Sequence, residues 1–198
     1  QDDSYISDYV TGWAASISSD GSALLYSTIL GGRTTLGGST SAMTEGRAIA
    51  VDATGRAWVT GVTDAVDFPT TPGAFQPALA NGSRDVFVIG LNPEGTGTIF
   101  STLLGGSETD TGDSIALGPD GSVFVGGNSY SGSSFPRTAG AYNGLCFGRG
   151  ATLTRIAPGG GSLLYSLQFC LGNSNSQLDS VIVDGLGRAT ISGFASGS

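Results

Sequence analysis

Along the chain, apolar and β-branched residues come in short alternating runs separated by Gly, Pro, Asp and Asn, and the runs are paired. One recurring pair, unit X, spans Trp13 to Gly32 (WAASISSDGSALLYSTILGG), Phe87 to Gly106 (FVIGLNPEGTGTIFSTLLGG) and, in looser form, Thr152 to Gly172 (TLTRIAPGGGSLLYSLQFCLG). Each copy reads as a β-hairpin. Two strand-like runs flank a turn built from Asp20-Gly21, Glu94-Gly95 or Gly159-Gly160-Gly161, residues that accept the positive φ a tight hairpin requires.

A second pair, unit Y, spans Ala48 to Gly61 (AIAVDATGRAWVTG), Ser114 to Gly127 (SIALGPDGSVFVGG) and Ser180 to Gly193 (SVIVDGLGRATISG), three copies that align without gaps at a spacing of 66 residues. Its alternation is that of half-buried strands, with Ile49 and Val51 on one side. Gly55, Gly121 and Gly187 hold one equivalent position, where the turn needs a left-handed residue. The order X-Y-X-Y-X-Y places hairpins at approximately 12–32, 47–63, 86–106, 113–128, 151–172 and 179–194 within a single repeat domain, 1–198. Internal repetition decides the architecture. The expectation from the pattern is an all-β fold of six antiparallel hairpins, about twelve strands, with almost no helix because helical periodicity is absent.

Connectors of 22 residues, Asp64 to Asp85 and Ser129 to Gly150, separate each of the first two Y units from the next X. Both carry one motif: Phe68-Pro69-Thr70-Thr71-Pro72-Gly73-Ala74-Phe75 in the first and Phe135-Pro136-Arg137-Thr138-Ala139-Gly140-Ala141-Tyr142 in the second. Loops this long stay ordered through their own packing, so Phe68, Pro69, Phe75, Phe135, Pro136 and Tyr142 are expected to form a buried clamp between adjacent sheets. An exposed aromatic ligand platform is the alternative for the same residues.

Composition narrows the chemistry. In 198 residues there are 34 glycines and 46 serines and threonines, yet 39% of residues are hydrophobic, which argues against chain-wide disorder. The chain has no histidine and no lysine, and eight arginines against sixteen acids give a net charge of -8. Clustered cations for nucleic acid or for an anionic membrane surface are missing. Nucleophilic sites that need histidine, and Schiff bases or phosphate loops that need lysine, cannot be assembled. No catalytic residue is therefore assigned and the chain is expected not to be an enzyme, although the i, i+3 pairs Asp64/Asp67 and Asp110/Asp113 have the residue types of paired-carboxylate chemistry.

No apolar run reaches a membrane span, and the start at Gln1-Asp2-Asp3 lacks the regions of a signal peptide. The chain is read as soluble or already processed. Cys146 and Cys170, 24 residues apart with no zinc-type spacing, are read as a structural disulfide, with buried free thiols as the alternative. No cofactor is expected beyond calcium, for which Glu108, Asp110 and Asp113 in a Gly-rich loop are candidate oxygen ligands; the same acids serve equally as solvated loop residues. Asn81-Gly82-Ser83 is an N-glycosylation sequon.

The string Glu45-Gly-Arg-Ala-Ile-Ala-Val-Asp-Ala-Thr-Gly-Arg-Ala-Trp-Val-Thr-Gly61, then Asp67-Phe-Pro-Thr-Thr-Pro-Gly-Ala-Phe-Gln76, then Leu91-Asn-Pro-Glu-Gly95 with Ser101-Thr-Leu-Leu-Gly-Gly106, resembles the bacterial β-propeller repeat called SBBP. The likeness covers nearly the whole chain. It departs in the first X, where Ser19-Asp20-Gly21 replaces the Asn-Pro-x-Gly turn, and in the third, where Ala157-Pro158-Gly159-Gly160 does. The resemblance implies a secreted, extracellular or cell-surface protein, its leader already removed, built of repeated antiparallel four-stranded propeller-like blades, about three in twelve strands, and it carries no catalytic motif.

Closed propellers use four to eight blades, so three pose an arithmetic problem. If a blade is Y followed by X, the first X and the last Y are orphans. They are expected to complete one another between subunits, giving a non-catalytic structural or adhesive protein whose partner is itself, in a ring or a filament. The alternatives are a piece of a larger closed propeller and a lectin-like module that offers Trp13, Trp58 or Tyr130 to surface glycans.

Overall fold

The computed structural model describes residues 10–81, 83–142, 144, 146, 149–171 and 175–196. Twelve strands lie within them: β1 Gly12–Ile17, β2 Leu24–Leu30, β3 Thr44–Val51, β4 Ala57–Thr63, β5 Asp85–Leu91, β6 Thr98–Leu104, β7 Asp110–Leu117, β8 Val123–Ser129, β9 Gly150–Ile156, β10 Leu163–Phe169, β11 Ser176–Val183 and β12 Ala189–Ala195. One 3-10 turn, Gly132–Ser134, is the helical content of the described residues.

All strand pairing is antiparallel, and the strands form four sheets in chain order: β1-β2, β3-β4-β5-β6, β7-β8-β9-β10 and β11-β12, here numbered I to IV. The division falls after each X hairpin. A Y hairpin supplies the first two strands of a four-stranded sheet and the following X supplies the last two, so the first X and the last Y stand as two-stranded sheets. No sheet closes on itself, and the four do not form a propeller ring; they make an open stack.

Each Y hairpin turns through a left-handed glycine, with φ of 83°, 81° and 76° at Gly55, Gly121 and Gly187. The first strand of every Y carries a bulge, between Gly46 and Ala48, Gly112 and Ser114, and Leu178 and Ser180. An extra residue re-aims the side chains and continues the strand beyond the point where simple alternation stops. That is why β3, β7 and β11 each begin three residues before the hairpin start expected from the pattern.

Three cores hold the stack. Between sheets I and II, Ala14 and Leu30 pack with Val59, Phe68, Phe87, Ile89, Leu91 and Leu103. Between II and III, Trp58, Val88, Phe100 and Leu104 meet Ile115, Val125, Phe135 and Ile156. Between III and IV, Phe124, Ala151 and Leu153 meet Leu178 and Val181. Both faces of sheets II and III are thus covered, which explains the unbroken burial along β4, β5 and β8. Cys146, in the second connector, is disulfide-bonded to Cys170, which follows β10, with Cα atoms 5.4 Å apart.

Candidate functional site

The connectors meet the stack differently. Phe68 and Phe135 are buried, Phe68 with its ring centroid 5.0 Å from that of Phe87, and Phe75 is half-buried. Pro69, expected in the same buried clamp, is exposed, and Tyr142 does not follow either: it is 66% exposed. The reason lies in the partner each connector finds. In the first connector the Phe75 N–H donates to the Gly160 carbonyl in the hairpin turn of sheet III, at 3.0 Å. The second connector would need the corresponding turn on the next sheet, and sheet IV has no X hairpin to supply it.

The paired loop acids also have structural partners. Asp67 accepts the N–H groups of Arg33 and Thr34 at 2.9 and 2.8 Å, and these hydrogen bonds, that of Thr34 first, hold its carboxyl below the usual range. Asp64 accepts the Met43 N–H at 2.6 Å. Asp113 accepts from Arg47 at 2.7 Å, Thr111 at 2.8 Å and Asn128 at 2.5 Å. The structure does not gather Glu108, Asp110 and Asp113 into one ligand set, and the described residues hold no group of three or more acidic or cysteine side chains suited to a metal. Of the aromatics considered for sugar faces, Trp58 is buried, whereas Trp13 and Tyr130 are exposed. Asn81 is exposed, with a φ of 63°; Gly82 of its sequon lies outside the described residues.

Asp110 has a different neighbour, Asp85. Both are fully buried, and both approach the Cα of Gly105: a methyl group there would lie 2.3 Å from Asp85 Oδ1 and 2.9 Å from Asp110 Oδ2. Asp85 Oδ2 accepts from Gln76 and Ala80, and Asp110 Oδ2 from Gly106 and Ser131, leaving Oδ1 of each without a hydrogen-bond partner. Burial, with Asp110 adding like charge, pushes the Asp85 carboxyl up to about 6, and burial raises Asp110 too. The pair was legible only as a break in the repeat: Thr11 and Gly150 stand where Asp85 does, and Thr44 and Ser176 where Asp110 does.

The most distinctive chemistry lies at the two ends of the stack. No described strand pairs with the outer edge of β1 or of β12. Around these edges sit apolar side chains whose repeat equivalents are buried. Trp13 is 68% exposed and Ile29 71%, whereas Phe87 and Leu103 at the same positions are buried. Ile49 is 53% exposed, whereas Ile115 and Val181 are buried. Phe194 on β12 is 55% exposed where Val62 on β4 is buried. On β10, Tyr165 and Phe169 are half-buried, whereas Phe100 and Leu104 of β6 are buried against sheet III.

Two grooves follow from these gaps. One, of about 400 Å³, runs between β1 and β3 and is lined by Trp13, Ala15, Arg47, Ile49 and Val59. The other, of about 110 Å³, lies beside β12 and is lined by Phe169, Leu178, Ile191, Gly193 and Phe194. Sheet edges with free N–H and C=O groups beside exposed apolar faces are sites for strand addition. Neither edge carries lysine or proline, the usual guards against it. A scan against protein-family models and a search of curated proteins return no match to the chain.

Proposed function

We propose that this chain is a non-catalytic structural module of an extracellular or cell-surface assembly, and that it works by completing its two half sheets with copies of itself. The carrying observation is the division of the stack into two whole four-stranded sheets flanked by two halves of complementary type, β11-β12 and β1-β2. Joined head to tail, the halves make one more sheet of the same plan, so each copy contributes three. Two copies whose rotation closes would give a six-bladed ring, within the range of closed propellers, and any other rotation would give a filament.

The resemblance to SBBP repeats supports the propeller-like reading of the blades and a surface location. The Cys146–Cys170 bridge fits an oxidising compartment. No helix of the described residues is long and apolar enough to cross a membrane. The absence of lysine, the small fraction of charged residues (12%) and the exposed apolar edges would be a hazard for a free monomer and suit a subunit.

The test is the mass of the intact chain by light scattering over a wide concentration range, with electron microscopy of the same samples. Rings of two or a concentration-dependent polymer are expected. A compact monomer at every concentration contradicts the proposal.

A further inference from the structure

Resting on that reading, we infer the contact itself: β12 of one copy pairs antiparallel with β1 of the next, with Ile191 opposite Ala15, Gly193 opposite Trp13 and Ala195 opposite Thr11.

The template is internal. The ladder β4:β5 sets Val59 opposite Ile89, Gly61 opposite Phe87 and Thr63 opposite Asp85. The ladder β8:β9 repeats that register at Val125 and Thr154, Gly127 and Thr152, and Ser129 and Gly150. The strands β12 and β1 occupy the same repeat positions as the partners in those ladders, and each lacks the other. Transferring the register across the gap is therefore a matter of counting, and it matches inward and outward side chains as the pleat requires.

Three side-chain features on different elements agree with this placement. The first is a turn contact. Tyr26 covers Gly95, and Phe100 covers Gly160: a methyl group on either glycine would lie within 2.7 Å of the ring. Tyr165 is the third member of that aromatic series and Gly21 the third left-handed turn glycine, with φ of 73°, yet nothing lies within 4 Å of the methyl position on Gly21. The inferred register brings the Gly21 turn of the next copy to Tyr165 and, by analogy with Phe75 on Gly160, to the exposed Tyr142.

The second feature is apolar fit. Trp13 of the next copy enters the groove over Gly193 beside Phe169, as Phe87 lies over Gly61 in the core that contains Leu30. On the other side of the new sheet, Ile182 and Phe194 cover the groove that holds Ile49. The third is charge. Arg47 on β3 pairs with Asp113 on β7, the equivalent position of the next sheet, at 2.7 Å. Continuing that series, Asp179 on β11 faces Arg47 of the next copy, opposite in sign where a strongly acidic chain would otherwise repel itself.

Engineered cysteines test the register, since the native pair is bridged and the described residues include no free thiol. Full-length chains carrying Ile191→Cys or Ala195→Cys are mixed with chains carrying Ala15→Cys or Thr11→Cys and oxidised, and the mass of each mixture is read alongside by light scattering. The combinations Ile191→Cys with Ala15→Cys and Ala195→Cys with Thr11→Cys should give at least tenfold more covalent dimer than the two crossed combinations. Assembly with crossed pairs linking as well or better overturns the register while leaving self-assembly standing. Monomers that form no covalent dimer in any combination overturn both.

Discussion

Phe87 and Trp13 occupy one position of the same repeat, yet the first is buried between two sheets and the second is mostly in water. The contrast extends from sheet II to sheet I as a whole: Leu91 against Ile17 and Leu103 against Ile29. Nothing in the local sequence distinguishes the two hairpins enough to account for it. A repeat unit has two apolar faces and buries them only when a neighbour lies on each side, so burial here is set by the stack rather than by the hairpin. The end sheets are ordinary repeats with half of their environment missing.

The sharpest way to break this comparison is to truncate the equivalent residues one at a time. Phe87→Ala is expected to cost about 3 to 5 kcal/mol in urea unfolding, through lost burial and the cavity it leaves between sheets I and II. Trp13→Ala should leave the unfolding of the dissociated chain within about 0.5 kcal/mol of wild type and weaken self-assembly at least tenfold. Equal destabilisation by the two substitutions would show that Trp13 is already buried in the single chain.

A similar contrast divides the connectors. Phe135→Ala should again cost about 3 to 5 kcal/mol, and Tyr142→Ala about 0.5 kcal/mol or less in the dissociated chain. Reducing Cys146–Cys170 frees the second connector from the end of β10, and chain entropy puts the loss near 3 kcal/mol. Thermal unfolding with and without reductant measures it, and an unchanged midpoint would mean that the connector is held without the bridge.

Much of this was legible in the sequence because repetition was. The X and Y pattern reads as an all-β chain of about twelve strands with almost no helix, and the structure has twelve strands in antiparallel sheets. The bulges hid the first three residues of β3, β7 and β11, because alternation cannot be followed through an inserted residue. Tyr142 was misjudged because its motif matches Phe75 while its partner turn is missing, a difference that exists only in three dimensions. The Asp85–Asp110 pair went unseen because the two residues are distant in sequence and lie outside the X and Y units, on strands of different sheets.

That pair distinguishes the II–III junction from the others. Both carboxyls titrate above their usual range in the folded state; the contribution of Asp85 to stability is complete below about pH 4 and is lost as the pH rises through about 6, and Asp110 acts in the same direction. Asp85→Asn, which removes one of the two charges, should raise the unfolding midpoint at pH 7.5 by roughly 5 °C and flatten its decline between pH 4.5 and 7.5. An unaltered pH profile would place the titration elsewhere.

In the proposed assembly, β1 and β12 are edges only in the isolated chain. Amide hydrogen exchange resolved by strand, followed from dilute to concentrated protein, reads this directly. Protection in β1 and β12 should rise with concentration toward that of β4 and β5, which already have neighbours on both sides. Exchange in β1 and β12 that stays fast and independent of concentration, while β4 and β5 remain protected, would contradict the account.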